Sequence, residues 1–137
     1  MDDPITCLAR TIYWEARGDG ETGMQAIASL VMNRLGHKGF PSTVCEVVKQ
    51  GKENGACQFS WWCDGRPDSA QEEKSYARAK EIARKALNGQ LKDLTGGALY
   101  FYHKGSKGSA PDWAKKYIRT AEIGNGIFYK PPNGDAK

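Results

Sequence analysis

The chain has 137 residues, of which 39% are hydrophobic and 26% charged, and this size and composition are typical of one folded domain with its own core. No apolar run approaches the roughly 20 residues that a membrane-spanning helix needs, so we expect no stable membrane insertion. The formal net charge of +4 favours anionic partners such as nucleic acid, acidic membrane surfaces or cell-wall polymers, without choosing among them.

The cysteines and the amino terminus bear on the environment of the chain. Four cysteines, an even number, permit three pairings in an oxidising compartment, and Cys57 and Cys63 are the natural local pair. The two histidines, His37 and His103, lie far from any cysteine pair, so we expect no metal and no cofactor. Residues 1–4 lack the basic and apolar stretches of a secretory signal, which implies another export route or a removed leader.

Apolar residues at helical spacing predict four helices. The predicted helices are 5–16, ended by Gly18; 22–35, begun by a capping box of Thr22 and Gln25; a short one over 43–48, capped by Thr43; and one from Asp68 or Ser69 to Leu87. The second is so apolar that we expect it to be the central buried helix.

The later part of the chain predicts a small sheet. Ala98 to Tyr102 and Ile127 to Tyr129 are aromatic runs with strand character that could pair. Cys57 to Cys63 is interpreted as an extended loop or short hairpin. The predicted fold class is therefore α+β: one mostly helical domain over residues 1–137 with a small β-sheet, and a flexible tail over 131–137.

Glu15 is the candidate for acid–base chemistry. It follows Ile12 by three residues and Leu8 by seven, so it borders the apolar stripe of the first helix. Desolvation disfavours the charged form of a carboxyl group, which is how enzymes keep a glutamic acid protonated for donation. Taken alone, the position fits a helix-edge residue paired with Arg10, Arg17 or a lysine better than a catalyst.

Four separated blocks of sequence change that balance. They are Leu8 to Gly18; Gly23 to Cys45, with Asn33-Arg34 and Phe40-Pro41; Cys57 to Gly65; and Gly97 to His103, followed by Pro111, Trp113 and Ile123-Gly124-Asn125. In this order and spacing they resemble the catalytic domain of spore-cortex lytic enzymes and related cell-wall hydrolases, the SleB and CwlJ type. The resemblance spans about residues 5–129. The resemblance implies that the glutamate before Ala-Arg-Gly is the catalytic residue of this family, and in this chain that glutamate is Glu15.

The resemblance implies a lysozyme-like or transglycosylase-like fold, and an enzyme that cleaves the MurNAc-GlcNAc strand of peptidoglycan. Glycosidic cleavage needs an acid for the leaving oxygen and a group that captures the oxocarbenium-like centre, commonly a second carboxylate. Asp19, Glu21, Asp64, Asp112 and Glu122 are available, but none falls in a matching motif, and Asp64 would be the first to test. A single acid/base fits a lytic transglycosylase, in which the muramic acid C6 hydroxyl attacks and a 1,6-anhydro sugar forms. Hydrolysis by water, as in a muramidase, stays open.

Several side chains in the blocks suit contact with a sugar. Gln58, Ser60 and Tyr102 offer hydrogen bonds, while Phe59, Trp61, Trp62 and Trp113 offer flat faces. As substrate contacts, Gln58 and Ser60 rank above the tryptophans. The adjacent Trp61 and Trp62 cannot both point inward if their segment is extended. His103 lies in an aromatic run, which favours a packed or hydrogen-bonded structural histidine.

Two other classes of function compete. A noncatalytic polysaccharide-binding module would keep the aromatic residues but would not need Glu15. Nucleic-acid binding is suggested by basic residues at 104, 107, 115, 116 and 119, but no helix-turn-helix or base-stacking platform is legible. We therefore expect a monomer that binds peptidoglycan glycan strands and no nucleic acid. The preferred context is a phage or Gram-negative lysin acting in the cell envelope.

Overall fold

The computed structural model describes residues 3–51, 57–63, 72–105 and 110–132, and within 57–63 the side chains of Ser60 and Trp62 are not described. The helices are α1 (Pro4–Ala16), α2 (Gly20–Arg34), α3 (Val44–Val48), α4 (Ser60–Cys63) and α5 (Glu73–Leu87), and the strands are β1 (Tyr100–His103), β2 (Ile118–Ile123) and β3 (Gly126–Lys130). The predicted α+β class, mostly helical with a small sheet, is confirmed. None of the helices in these segments is long and apolar enough to cross a membrane.

Helix α1 is the centre of the helical layer, because it packs against α2, α3 and α5. It begins at Asp3, whose Oδ1 accepts a hydrogen bond from the backbone N–H of Thr6 at 2.7 Å. Leu8 and Ile12 are fully buried on its inner side. The predicted first helix is thus confirmed to within a residue at its start.

Helix α2 is buried along most of its length, as predicted, but it begins earlier than the sequence indicated. A 3-10 turn over Arg17–Asp19 leads into it through Gly20, whose φ of 75° suits glycine. Thr22 is an exposed residue within the first turn, so the predicted capping box of Thr22 and Gln25 is wrong. The helix has already begun at Gly20, with Asp19 at the N-cap position, so Thr22 lies inside the first turn and cannot cap it.

The other helices match the sequence in part. Thr43 caps α3 as predicted, its Oγ1 accepting a hydrogen bond from the N–H of Glu46 at 3.3 Å. The extended loop or hairpin predicted for 57–63 is wrong, because Ser60–Cys63 forms one helical turn. Helix α5 buries the predicted face and begins at Glu73; residues 68–71, where its start was predicted, lie outside the described residues.

The sheet is antiparallel, with β3 between β1 and β2. The predicted pairing of the two aromatic runs is confirmed: Phe101 faces Phe128, and His103 faces Gly126. The second strand, β2, was not predicted. Phe128 is buried in the helical core, which joins the two layers.

Two disulfides connect the described segments. Cys7–Cys45 joins α1 to α3, and Cys57–Cys63 closes the segment that contains α4. The natural local pair of the sequence is therefore confirmed. Of the predicted flexible tail, residues 133–137 lie outside the described part of the chain.

Candidate active site

Glu15 lies in the last turn of α1 with its carboxyl group turned into the protein. Its side chain is only 3% exposed, and Ile12, one turn earlier, is fully buried. The desolvated position predicted for Glu15 is thus confirmed, and among the residues that the structure describes it is the one buried acidic side chain. A buried carboxyl group is costly unless it is hydrogen-bonded, so its partners decide what it can do.

His103 is a partner of Glu15. Its Nε2 lies 3.0 Å from Oε1 of Glu15, across 88 residues of sequence. The imidazole side chain is 36% exposed, so the pair connects a buried carboxyl group to a group that reaches solvent. The sequence favoured a packed or hydrogen-bonded structural histidine. In the structure His103 is hydrogen-bonded, and its partner is the candidate catalytic residue.

Aromatic packing on one face of β1 holds the His103 ring in place. Phe101, two residues earlier on the same face, stacks on Phe128 with centroids 5.8 Å apart, and lies 6.1 Å from Phe59. The rings of His103 and Phe101 are nearly perpendicular, with centroids 5.2 Å apart. Opposite His103 stands Gly126, where a Cβ would lie 2.8 Å from the Phe128 ring. The glycine therefore leaves room for the aromatic packing that orients the imidazole.

The tip of the β2–β3 hairpin packs against the turn that follows Glu15. Gly124 at this tip has φ of 57°, and a Cβ there would lie 2.8 Å from the Cβ of Asp19. Next to it, Asn125 accepts a hydrogen bond from the N–H of Lys104 at 2.7 Å. One hairpin tip thus touches both the turn after Glu15 and the residue after His103.

The segment 57–63 is anchored on α1 at Thr11, about one and a half turns before the helix ends. The indole Nε1 of Trp61 donates a hydrogen bond to Oγ1 of Thr11 at 3.1 Å, and both side chains are buried. The N–H of Gln58 donates to the carbonyl of Gln50 at 3.0 Å, while its side chain is exposed. The contact of Gln58 with a sugar stays a prediction.

A buried guanidinium group supports this segment from inside. Nε of Arg34 donates to the carbonyl of Leu99 at 2.7 Å, and its Cζ lies 4.9 Å from the ring centroid of Phe40, 5.2 Å from Phe59 and 5.5 Å from Tyr100. Burial lowers the pKa of Arg34 to about 10, and the ring faces offset part of that cost. Phe59 is 0% exposed, so its ring supports the segment and offers no free face to a ligand.

A polar network fixes the chain just before β1. Nδ2 of Asn33 donates to Oδ2 of Asp93 at 3.0 Å and to the carbonyl of Ala98 at 3.1 Å. Asp93 also accepts from the N–H groups of Thr95 at 2.8 Å and Gly97 at 2.9 Å. Partial burial raises the pKa of Asp93, but these hydrogen bonds outweigh it and leave the pKa below its ordinary value. The network sets the start of the strand that carries His103.

Tyr102 and Trp113 lie on the other face of the sheet. Tyr102 stacks on Tyr129 at 5.9 Å, and Trp113 packs against Tyr129 at 5.2 Å and Tyr102 at 6.2 Å. Because neighbouring residues of a strand point to opposite faces, Tyr102 points away from the face of His103. The structure therefore does not bring these two residues together with Glu15, and their contact with a sugar stays a prediction. The side chain of Ser60 lies outside the described part.

None of the other carboxylates considered from the sequence is buried in the described part of the chain, and Glu21 and Asp112 are exposed. Glu122 forms ion pairs with Lys104 and Arg119, and the hydrogen bond and charge of Lys104 lower its pKa. Asp19 packs against the hairpin tip, and Asp64 lies outside the described residues. Over the described ranges, no group of three or more His, Cys, Asp or Glu side chains could hold a metal ion.

A sequence model of the cell wall hydrolase family matches residues 18–129. The chain belongs to the cell wall hydrolase family. The match begins three residues after Glu15, so the assignment of that residue depends on the Glu-Ala-Arg-Gly motif and on the geometry above.

Two kinds of known protein resemble this cell wall hydrolase. The spore cortex-lytic enzyme of Halalkalibacterium halodurans is 32% identical over 93% of this chain and 34% of its own length, and that of Bacillus subtilis is 31% identical over 93% and 37%. The chain thus spans little more than a third of these relatives. The catalytic domain of the germination-specific lytic transglycosylase SleB from Bacillus anthracis is 28% identical with a TM-score of 0.73, over 95% of this chain and 96% of that one. The catalytic domain of Bacillus cereus SleB is 29% identical with a TM-score of 0.73, over 93% and 89%.

Proposed function

We propose that this cell wall hydrolase cleaves the MurNAc-GlcNAc strands of peptidoglycan as a lytic transglycosylase, with Glu15 as its acid and base. The observation that carries the proposal is the buried carboxyl of Glu15 at the end of α1, paired with a half-exposed histidine. The similarity along nearly the whole chain to a lytic transglycosylase domain supports it. The site of action is the cell wall, outside the cytoplasm, and one chain suffices because it supplies both Glu15 and His103.

The reaction needs one protonated carboxyl group and no second carboxylate. Glu15 donates its proton to the glycosidic oxygen as the bond from that oxygen to C1 of the muramic acid breaks. The carboxylate so formed stabilises the positive charge at C1 and then accepts the proton of the C6 hydroxyl, whose oxygen bonds to C1. The product is a 1,6-anhydro sugar, and Glu15 is protonated again at the end of the cycle.

The proposed substrate contacts lie on both sides of strand β1. Gln58 and Ser60 belong to the segment anchored on α1, close to the helix that carries Glu15. Tyr102 and Trp113 lie on the opposite sheet face, and β1 is an edge strand. A glycan strand that crosses this edge would meet both groups. Phe59 contributes indirectly, by holding the segment against Arg34.

The competing functions receive less support from the site. A hydrolytic muramidase would use the same Glu15 with water as the nucleophile, so it is the second candidate. A noncatalytic binding module would gain nothing from a buried carboxyl group that costs stability. For nucleic-acid binding, two of the basic residues concerned, Lys104 and Arg119, already pair with Glu122.

The test is digestion of purified peptidoglycan by the wild type, by Glu15→Gln and by Glu21→Gln, followed by mass spectrometry of the released muropeptides. Glu21 is an exposed glutamate in the first turn of α2, so it is a matched control. We expect anhydro products from the wild type and from Glu21→Gln, and none from Glu15→Gln. Products with reducing ends would instead identify the protein as a hydrolytic muramidase. Equal release by all three proteins would refute the role of Glu15.

A further inference from the structure

We propose that His103 is the positioning residue that supplies the proton of Glu15 and takes it back, so that the two side chains work as one unit holding a single proton. The inference rests on the proposed function, since it concerns the same carboxyl group. Its basis is the geometry: Nε2 of His103 is 3.0 Å from Oε1 of Glu15, and the side-chain exposures are 36% and 3%. The imidazole therefore offers the buried carboxyl group a route for proton exchange with solvent.

The proton transfer balances without any further reactant. Before a glycan strand binds, the imidazolium of His103 donates a hydrogen bond from Nε2–H to the carboxylate of Glu15. When a glycan strand covers the pair and removes water, the separated charges become costly and the neutral pair is favoured. The Nε2–H bond then breaks and an O–H bond forms on Glu15, which gives the acid that cleavage needs. After the C6 hydroxyl has returned a proton to Glu15, release of the product restores the ion pair.

The charged groups on the surrounding elements are engaged with other partners. Arg17, at the end of α1, donates to the hydroxyl of Tyr13 at 2.8 Å and lies 4.0 Å from Glu72, just before α5. Lys104 beside β1 and Arg119 on β2 both pair with Glu122.

Three further charged groups lie on these elements or in the turn between α1 and α2. Asp19, in the turn after α1, packs on Gly124 of the hairpin tip. Glu21 on α2 is exposed. Arg10 on α1 lies five residues before Glu15, about 140° around the helix. The proposal concerns the contact between Nε2 of His103 and Oε1 of Glu15, which lie 3.0 Å apart.

The first experiment measures the pair without any activity. The chain has two histidines, so imidazole ¹⁵N spectra of labelled protein contain two rings, and His37→Gln assigns them. We expect the titration midpoint of the His103 ring to fall by about one pH unit or more in Glu15→Gln, because the negative charge beside it is lost. The His37 ring, in the turn after α2, serves as the reference signal in both spectra. A His103 midpoint that is the same in both proteins would overturn the inference whether or not the protein cleaves peptidoglycan.

The second experiment separates proton supply from simple support of the fold. His103→Gln keeps an N–H donor for Glu15 but cannot titrate, so Glu15 must take its proton directly from solvent. Isolated Glu and His side chains titrate about two pH units apart. We therefore expect the alkaline limb of the activity profile to move down by at least about one pH unit, with activity at low pH largely kept. His37→Gln should reproduce the wild-type profile.

The outcomes of the two experiments are distinct. A uniform loss of activity in His103→Gln at every pH would mean structural support only, and would overturn the inference. An unchanged profile would do the same. If the wild type released no muropeptides, the proposed function would fail, while the ¹⁵N titration would still decide whether Glu15 and His103 share a proton. If Glu15→Gln failed to fold, the titration would be repeated with Glu15→Asp, whose shorter side chain moves the carboxylate away from His103. The titration midpoint of His103 should then be lower than in the wild type, and an unchanged midpoint would count against the pair.

Discussion

Replacing Thr11 with valine tests how the segment 57–63 is held on α1. The hydroxyl of Thr11 is fully buried; it accepts a hydrogen bond from Nε1 of Trp61 at 3.1 Å and donates one to the carbonyl of Cys7 at 2.9 Å. Valine has nearly the same shape, so packing changes little while both hydrogen bonds are lost. Each bond contributes about 1 kcal/mol net, and a buried group that loses its partner costs about 1 to 3 kcal/mol. We expect the free energy of unfolding to fall by about 2 kcal/mol.

The assay is thermal unfolding followed by circular dichroism. With an unfolding entropy of about 2.1 cal/mol/K per residue, a loss of about 2 kcal/mol in 137 residues lowers the Tm by about 7 °C. Thr11→Ser is the control, because it keeps the hydroxyl and loses one methyl group, at about 1 kcal/mol. A valine variant that is as stable as the serine variant, or a double-mutant cycle with Trp61→Phe that shows no coupling, would refute the reasoning.

Three further predictions concern stability. Phe59→Ala should lower the free energy of unfolding by about 3 to 5 kcal/mol in urea titrations, because the ring is fully buried; a loss below about 1 kcal/mol would contradict the packing of Phe59 against Arg34. The pKa of Asp93 in the folded chain is below its ordinary value of 3.8, so its stabilising effect is present above that value and is lost as the pH falls through the lower folded pKa. The stability difference between wild type and Asp93→Asn should therefore shrink as the pH falls below 3.8, and a difference independent of pH would count against it. Replacing Cys7 and Cys45 together by alanine opens a loop of 38 residues, which should cost about 4 kcal/mol in chain entropy; unchanged urea midpoints would show that this disulfide does not constrain the unfolded chain.

Periodicity predicted the helices well because their burial repeats along the sequence. Helix α1 buries Leu8 and Ile12, and α5 buries Ile82 and Ala86, each pair about one turn apart. Strand β2 escaped prediction for the opposite reason. It carries Arg119 and Glu122 and is exposed at three of its six positions, so no alternating apolar pattern marks it.

The site could be predicted only as far as local sequence reaches. The position of Glu15 at the edge of an apolar stripe follows from its own helix. Its pairing with His103 joins two residues 88 positions apart, and no local pattern contains that contact. One signal was available and not used: in a strand, Tyr102 and His103 must point to opposite faces. That rule alone separates Tyr102 from the face that meets Glu15.

The central claim is that the carboxyl group of Glu15 carries out the cleavage, and the most direct measurement is the rate at which Glu15→Gln releases soluble muropeptides from peptidoglycan. Glutamine keeps the size and a hydrogen-bonding group but cannot transfer a proton, and positioned acid–base groups contribute about 10²- to 10⁴-fold to a rate. We expect the rate to fall by at least about 100-fold relative to the wild type, with an unchanged unfolding midpoint and with Glu21→Gln at the wild-type rate. A Glu15→Gln protein that keeps more than about a tenth of the wild-type rate would contradict the account.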